Sequence, residues 1–215
     1  MERVEDSIEK NYIKYLRDKK VCLVGPAGHI ESWDQKDLIE SYDVVIRLNK
    51  SWPVPEFLQK CSGVRTDILY SAMASHCLPD DILTNMSKFK DNVKFLVCPF
   101  ARDIPWSNAS QRIINSDIPF IRFDSNRYES MMIKLKTNPN TGIAAIIHLL
   151  LYPIKELYIT GIAFLQGDYV SGYRSHAPKL CSHTPSLQIN YFREHCWGDP
   201  RISADEVFAA IMEKE

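Results

Sequence analysis

Five short apolar runs constrain the fold of this chain more than any other feature. They occupy 20–24 (KVCLV), 43–48 (DVVIRL), 66–70 (TDILY), 93–98 (VKFLVC) and 156–160 (ELYIT). They are strand-like in length and rich in β-branched and aromatic residues, and segments with helical spacing separate them, which is typical of a parallel sheet. We therefore predict one Rossmann-like α/β domain over residues 1–215, with a mostly parallel sheet, helices on both faces and a further short strand at 120–123.

Helical spacing predicts the remaining elements. A leading helix falls within residues 1–19, and further helices are predicted at 34–42, 79–89, 107–114, 125–135, 141–150, 184–195 and 203–213. In the last of these, Ser203 is predicted as the N-cap of a capping box with Glu206. Residues 163–182 have no sustained period, so we predict a long loop at the active site.

Composition excludes several classes of protein. The 26 basic and 27 acidic residues leave a formal charge of -1 without a basic stripe, which argues against a nucleic-acid partner. No apolar stretch approaches the roughly 18 residues that a membrane span needs. The cysteines form no C-x-x-C pair, so we expect reduced thiols in a cytoplasmic compartment. A luminal domain trimmed of its anchor would have the same composition, and both alternatives stay open.

A glycine loop, Gly25-Pro26-Ala27-Gly28, follows the first predicted strand. Glycine there allows backbone N–H groups to approach an anion such as a phosphate. The dinucleotide fingerprint is absent, because Ala27 replaces its second glycine and the second strand ends at Asn49 instead of an acidic residue. A nucleotide-dependent oxidoreductase is therefore disfavoured, and the missing Gly-Lys-Ser/Thr triplet disfavours a P-loop.

A second candidate anion site lies at the start of the 141–150 helix, where Asn140, Thr141 and Gly142 stand beside its free N–H groups. The alternative is an ordinary N-cap formed by Asn140 or Thr141, and local sequence does not separate the two. Ser71 and Gly161 also follow predicted strands, at the edge where parallel sheets bind ligands.

His183 is a candidate general base because it follows the long loop and precedes a helix. A lone histidine is more often structural, so its position alone leaves both roles open. The chain has no Asp-x-Asp and no pair of histidines four residues apart, so the sequence offers no evident metal site.

Four segments, in order, resemble the sialyltransferase superfamily. Residues 21–49 (VCLVGPAGHIES, then IESYDVVIRLN) resemble the large sialyl motif, and residues 138–164 (NPNTGIAAIIHLLL, then ELYITGIAF) resemble the small one. Residues 67–71 occupy the place of the third strand, and His183-Thr184-Pro185 resembles the late segment that carries the catalytic histidine.

This resemblance implies a variant GT-A-type glycosyltransferase without Asp-x-Asp. It implies metal-independent, inverting transfer of sialic acid or a related acidic sugar from a CMP-activated donor to a glycan hydroxyl, without a cofactor and with His183 as the base. The donor would contact Gly25, Pro26, Ala27, Gly28, Asn49, Ser71, Asn140, Thr141, Gly142, Gly161, Ile162, Phe164, Tyr169 and Tyr173.

Two positions depart from the family pattern. Pro26 replaces an asparagine of the large motif, and Leu165 stands where bacterial enzymes have a tyrosine near the donor phosphate. Tyr169 or Tyr173 could supply that contact instead. The alternative is a non-catalytic nucleotide- or sugar-binding domain of the same fold in which these changes removed the chemistry.

Overall fold

A computed structural model describes residues 4–74, 77–78, 82, 84–100, 108–173 and 183–214. Residues 79–81 and 83 of the helix predicted at 79–89 and residues 174–182 of the predicted active-site loop lie outside these ranges. Residues 82, 84 and 85 form turns, and the helix begins only at Met86.

All the described strands belong to one parallel sheet. The seven strands are β1 (Lys20–Val24), β2 (Val44–Leu48), β3 (Ile68–Tyr70), β4 (Phe95–Cys98), β5 (Phe120–Arg122), β6 (Glu156–Thr160) and β7 (Ile202–Ala204). Their order is β5-β4-β3-β2-β1-β6-β7, and every neighbouring pair is parallel. The predicted parallel α/β fold is confirmed.

Helices cover both faces of the sheet. They are α1 (Val4–Leu16), α2 (Lys36–Glu40), α3 (Glu56–Ser62), α4 (Met86–Asn92), α5 (Asn108–Ile114), α6 (Ser125–Leu135), α7 (Thr141–Leu150), α8 (Pro185–His195) and α9 (Glu206–Glu213), and a short 3₁₀ helix spans Gly28–Ser32. The helices predicted at 125–135 and 141–150 are confirmed. Helix α3 was not predicted, because Pro53 and Pro55 immediately before it disfavour regular structure.

The capping box predicted at Ser203 is wrong. Ser203 lies in β7, paired with Tyr158 of β6, and α9 begins three residues later. Its N-cap is Asp205, whose side chain accepts a hydrogen bond from the N–H of Phe208. Tertiary pairing with β6 therefore overrides the local Ser-x-x-Glu pattern.

Alternate residues of the strands face opposite sides of the sheet and pack into different hydrophobic clusters. Leu23 and Leu48 pack on the face that carries α1, α7, α8 and α9, whereas Val24 and Val45 pack toward α2 and α3. None of the described helices is both long and apolar enough to cross a membrane.

The chain reverses its direction across the sheet at β1, which has β2 on one side and β6 on the other. Open parallel sheets bind ligands outside the carboxyl ends of the strands at such a switch point. The segments that follow β1, β2 and β6 therefore define where the candidate site lies.

Candidate active site

The turns after β1 and β6 interlock through two glycines. A Cβ on Gly25 would lie 2.2 Å from the Gly161 carbonyl oxygen, and a Cβ on Gly161 would lie 2.4 Å from the Gly25 oxygen. Gly161 also has a φ of 68°, in the left-handed region that favours glycine. Backbone packing thus accounts for glycine at both positions.

The glycine loop uses its own N–H groups within the protein. Gly25 donates to Thr160 O over 2.8 Å, Ala27 to Gly161 O over 2.8 Å and Gly28 to Asp168 O over 2.7 Å. Pro26 has no N–H, and its carbonyl accepts from Val170. The loop is therefore a packing element, and the phosphate donors predicted there must be sought elsewhere.

Asn49 joins the ends of β2 and β3 to the start of α7. Its Oδ1 accepts from the N–H of Ala72 over 3.0 Å, and its Nδ2 donates to Thr141 Oγ1 over 3.3 Å. The φ of Asn49 is 51°, which asparagine tolerates better than most residues. Because Thr141 Oγ1 accepts from Asn49, its own hydroxyl proton can be donated to a ligand.

Asn140 is the N-cap of α7, as one of the two alternatives predicted. Its Oδ1 accepts from Ile143 N over 2.9 Å, and its own N–H donates to Gln188 Oε1 over 3.3 Å. A Cβ on Gly142 would contact Ile162 Cδ1 at 3.3 Å, and Ile162 also abuts Gly25. The side chain of Ile162 thus packs between the Gly25 turn and the amino end of α7.

His183 lies against the segment that leads into α7. Its Nδ1 is 2.9 Å from Asn138 O, and Thr184 N donates to Thr137 Oγ1 over 3.0 Å. A carbonyl oxygen only accepts hydrogen bonds, so Nδ1 carries the proton and Nε2 is the nitrogen that can take one up. The ring is half-buried, beside the amino end of α7.

Gln188 fixes the same segment from α8. It is fully buried, and its Nε2 donates to Asn138 O over 3.1 Å while its Oε1 accepts from Asn140 N. Asn138 O therefore accepts from both Gln188 and His183.

Residues 168–173 dock against the glycine loop. Tyr169 forms an antiparallel bridge with Ala27, and the rings of Tyr169 and Tyr173 pack 5.2 Å apart. Ser171 N donates to Glu31 Oε1. The described half of the predicted active-site loop is thus anchored to the end of β1.

Two predicted donor contacts have buried side chains. Ser71 is completely buried, and its Oγ accepts from Met73 N over 3.1 Å and donates to Cys77 O over 3.4 Å. Phe164 is 1% exposed and packs on Phe208 with ring centroids 5.3 Å apart. Both side chains therefore belong to the packed framework.

Sequence reasoning missed Asp205, the buried carboxylate beneath the Gly161 turn. Its Oδ2 accepts from Gly161 N over 2.8 Å and from Thr160 Oγ1 over 2.9 Å, and lies 3.0 Å from His29 Nε2. Burial raises the pKa of this carboxyl, but hydrogen bonds from His29 and two backbone N–H groups outweigh it, and the pKa is lowered. In the sequence, Asp205 has the type and position of an N-cap, three residues before Phe208. The Ser203 capping pattern led instead to an N-cap two residues too early.

Within the described ranges, no three His, Cys, Asp or Glu side chains are grouped as metal ligands.

A parallel sheet whose strand order reverses at β1, with helices on both faces, defines a Rossmann-like α/β fold. Comparison with solved structures then identifies the fold as that of the sialyltransferases. A mammalian sialyltransferase in complex with Gal-beta-1-3GalNAc-ortho-nitrophenol is similar, with a TM-score of 0.54 and 16% identity over 93% of this chain and 78% of that chain.

Two Campylobacter jejuni structures are also similar. The sialyltransferase CstII with the substrate analogue CMP-3FNeuAc has a TM-score of 0.55 and 14% identity over 86% of this chain and 81% of that chain. An α-2,3-sialyltransferase in apo form has a TM-score of 0.52 and 15% identity over 89% and 77%. No protein-family model matches the sequence, and no curated protein matches it either. The predicted resemblance is confirmed at the level of the fold.

Proposed function

We propose that the protein is a glycosyltransferase that moves sialic acid or a related acidic sugar from a CMP-activated donor to a hydroxyl of a glycan acceptor. The observation that carries this proposal is the position of His183, bonded to Asn138 O beside the amino end of α7. One similar sialyltransferase holds CMP-3FNeuAc and another holds a Gal-beta-1-3GalNAc glycan, which supports these substrate classes.

The proposed reaction is a single displacement at the anomeric carbon, which inverts its configuration. The acceptor hydroxyl attacks that carbon, its proton passes to His183 Nε2, and the bond from carbon to the phosphate oxygen breaks. General-base catalysis of this kind contributes roughly 10²–10⁴-fold. Hydrogen bonding from Nδ1 to Asn138 O orients the ring and stabilises the imidazolium that forms.

The leaving CMP gains negative charge on its phosphate. We assign that phosphate to the first N–H groups of α7 and to the Thr141 hydroxyl, which Asn49 holds in a donating orientation. A CMP leaving group carries a single phosphate, so these donors can act without a divalent ion. Tyr169 bridges Ala27 of the glycine loop and is the candidate for the contact that Leu165 lacks, whereas Tyr173 lines the separate pocket described below.

Two variants of His183 separate a base from a structural anchor. His183→Asn can retain a donor toward Asn138 O but cannot take up a proton, and His183→Ala removes both. With CMP-sialic acid and galactose-terminated acceptors, we expect CMP release to fall at least about 100-fold in both variants while CMP affinity changes little. His195→Ala, at the exposed end of α8, is the matched control.

Unaltered turnover in both His183 variants would remove this residue from the mechanism. CMP binding without turnover on any acceptor in the wild-type protein would favour the non-catalytic alternative. Metal independence is tested by EDTA, because a strong loss of turnover would contradict it. Thermal-shift measurements with CMP, UDP, GDP and NAD test the donor class, since a ligand at 100 times its Kd stabilises by about 2.7 kcal/mol.

A further inference from the structure

A pocket of about 400 Å³ opens on the opposite face of the sheet from α7. It lies between the ends of β1 and β2, helix α3 and residues 170–173. Val24 and Leu58 of its wall pack in the core beneath α2 and α3, whereas Gly142 of α7 lies against Leu48 on the other face. The pocket is thus distinct from the phosphate position that we assign to α7.

The walls of this pocket are mainly apolar. They comprise aliphatic, proline and aromatic side chains, including Pro26, Trp52, Pro53, Pro55, Phe57 and Tyr173. Phe57 is 47% exposed and forms the outer part of the wall. Such walls would leave the hydroxyls of a sugar without partners, and they suit a flat or branched apolar group.

Arg47 supplies a buried positive charge to the lining. Its guanidinium is 2% exposed and has five N–H donors. Nε donates to Arg65 O over 3.0 Å, and Nη2 donates to Ser62 O over 2.6 Å and Gly63 O over 3.2 Å. Nη1 donates to Ser62 Oγ over 3.4 Å. These four bonds leave one Nη1–H without an acceptor among the described residues.

The acceptors of these bonds are all neutral. Burial lowers the pKa of Arg47 to about 10, an effect that the neighbouring Cys22 thiol and the Glu40 carboxylate partly oppose. Ser51, which also lines the pocket, has a buried Oγ with no hydrogen-bond partner in the described part of the chain. The Ser51 hydroxyl and the remaining Nη1–H of Arg47 are hydrogen-bond donors next to a buried positive charge. Such a site favours an anionic ligand as their acceptor.

We propose that this pocket binds a small organic carboxylate whose apolar body packs on the proline and aromatic walls and whose carboxylate accepts hydrogen bonds from Ser51 and Arg47. The site is separate from the proposed donor site, although both adjoin the Gly25–Pro26 turn. A carboxylate and an apolar ring must therefore both be present for binding.

Phenylacetate is the probe, with phenylacetamide and acetate as its matched controls. We expect titration calorimetry to show phenylacetate binding at least about tenfold more tightly than either, because the amide lacks the charge and acetate lacks the ring. Equal affinity for phenylacetate and phenylacetamide, or no binding of phenylacetate, would overturn the proposal.

Two variants test the location without removing Arg47 from the core. Phe57→Glu places a negative charge on the exposed wall and should weaken phenylacetate binding at least about tenfold, and Ser51→Ala should weaken it roughly three- to tenfold. Leu38→Glu is the control, because Leu38 is 45% exposed on neighbouring α2 and does not line the pocket. Equal loss in Phe57→Glu and Leu38→Glu contradicts the proposed location.

A CMP titration distinguishes this site from the donor site. We expect phenylacetate affinity to be unchanged when CMP is saturating, and competition between them would overturn the claim of a separate site. Absence of CMP binding would contradict the proposed function and leave the phenylacetate result unaffected.

Discussion

The side-chain amide of Asn49 donates to the hydroxyl of Thr141 and so joins the end of β2 to the first residue of α7. The hydroxyl accepts this bond and keeps its own proton for another acceptor. In the proposed mechanism that acceptor is the donor phosphate. The two side chains should therefore act as one unit, with Asn49 positioning Thr141.

A double-mutant cycle tests this coupling. Asn49→Gly removes the amide while tolerating the φ of 51°, and Thr141→Val removes the hydroxyl at similar volume. We expect each single variant to weaken CMP binding about five- to tenfold, and the double variant to bind nearly as well as the weaker single one. Calorimetric titration should then give a coupling energy of about 1 kcal/mol or more, and simple additivity would contradict the assigned contact.

Gln188 should affect turnover through Asn138. Gln188→Glu can still accept from Asn140 N but loses the donor to Asn138 O, to which His183 is also bonded. We expect turnover to fall roughly tenfold with a smaller change in CMP affinity, since a mispositioned base is costly. Asn190→Leu, at an exposed position of the same helix, is the control. An equal effect of both variants on turnover would argue against this positioning role.

The interlocked glycine turns predict a large difference between two glycine substitutions. Gly25→Ala would place its Cβ 2.2 Å from a backbone oxygen, so we expect unfolding free energy to fall by at least about 2 kcal/mol. Gly198→Ala meets nothing within 4 Å and is not at a positive φ, so we expect a change within about 1 kcal/mol. Urea denaturation measures both. Comparable stability of the two variants would show that the turn can relax.

The elements that sequence predicted well are those with strong local patterns. The apolar runs at 20–24 and 156–160 became β1 and β6 with unchanged bounds, and α6 and α7 also begin and end where their spacing indicated. Periodicity and chain order were sufficient for these features.

The features that sequence missed depend on distant partners. Strand β7 has only three residues and forms through pairing with β6, so local propensity favoured the Ser203 capping box instead. In the glycine loop, the N–H groups of Ala27 and Gly28 donate to the carbonyl oxygens of Gly161 and Asp168, and no local pattern reveals these distant partners. Part of the wall of the pocket beside Arg47 is formed by α3, a helix that the sequence analysis did not predict.

Asp205 should be essential for stability. Its carboxylate accepts from Thr160, Gly161 and Phe208 and pairs with His29, and the side chain is fully buried. Asp205→Asn replaces an acceptor oxygen by a donor facing other donors, so we expect a loss of about 3 to 5 kcal/mol. Asp199→Asn breaks the partly exposed pair with Arg201 and should cost within about 1 kcal/mol. Chemical denaturation of both variants makes the comparison, and equal losses would contradict the role of Asp205.

The buried imidazole of His148 in α7 predicts how the stability of the protein depends on pH. His148 is fully buried, with Nδ1 2.8 Å from the Tyr70 hydroxyl and Nε2 2.6 Å from the Tyr152 hydroxyl. One neutral tautomer satisfies this chain, because Tyr152 donates onward to Glu9 and Nδ1 accepts from Tyr70. Burial, and secondly the charge of Arg127, lower the pKa of His148 well below its usual 6.5.

Proton binding by the folded and unfolded chains determines whether stability rises or falls with pH. Below about pH 6.5 the unfolded chain takes up a proton at His148 and the folded chain does not, so the unfolding free energy should fall by about 1.4 kcal/mol per pH unit until the lowered pKa is reached. Between about pH 7 and pH 5 this amounts to roughly 2 kcal/mol. His148→Gln retains a donor and an acceptor but cannot titrate, so its urea midpoint should depend less on pH. An unchanged slope in His148→Gln would show that other groups cause the acid destabilisation.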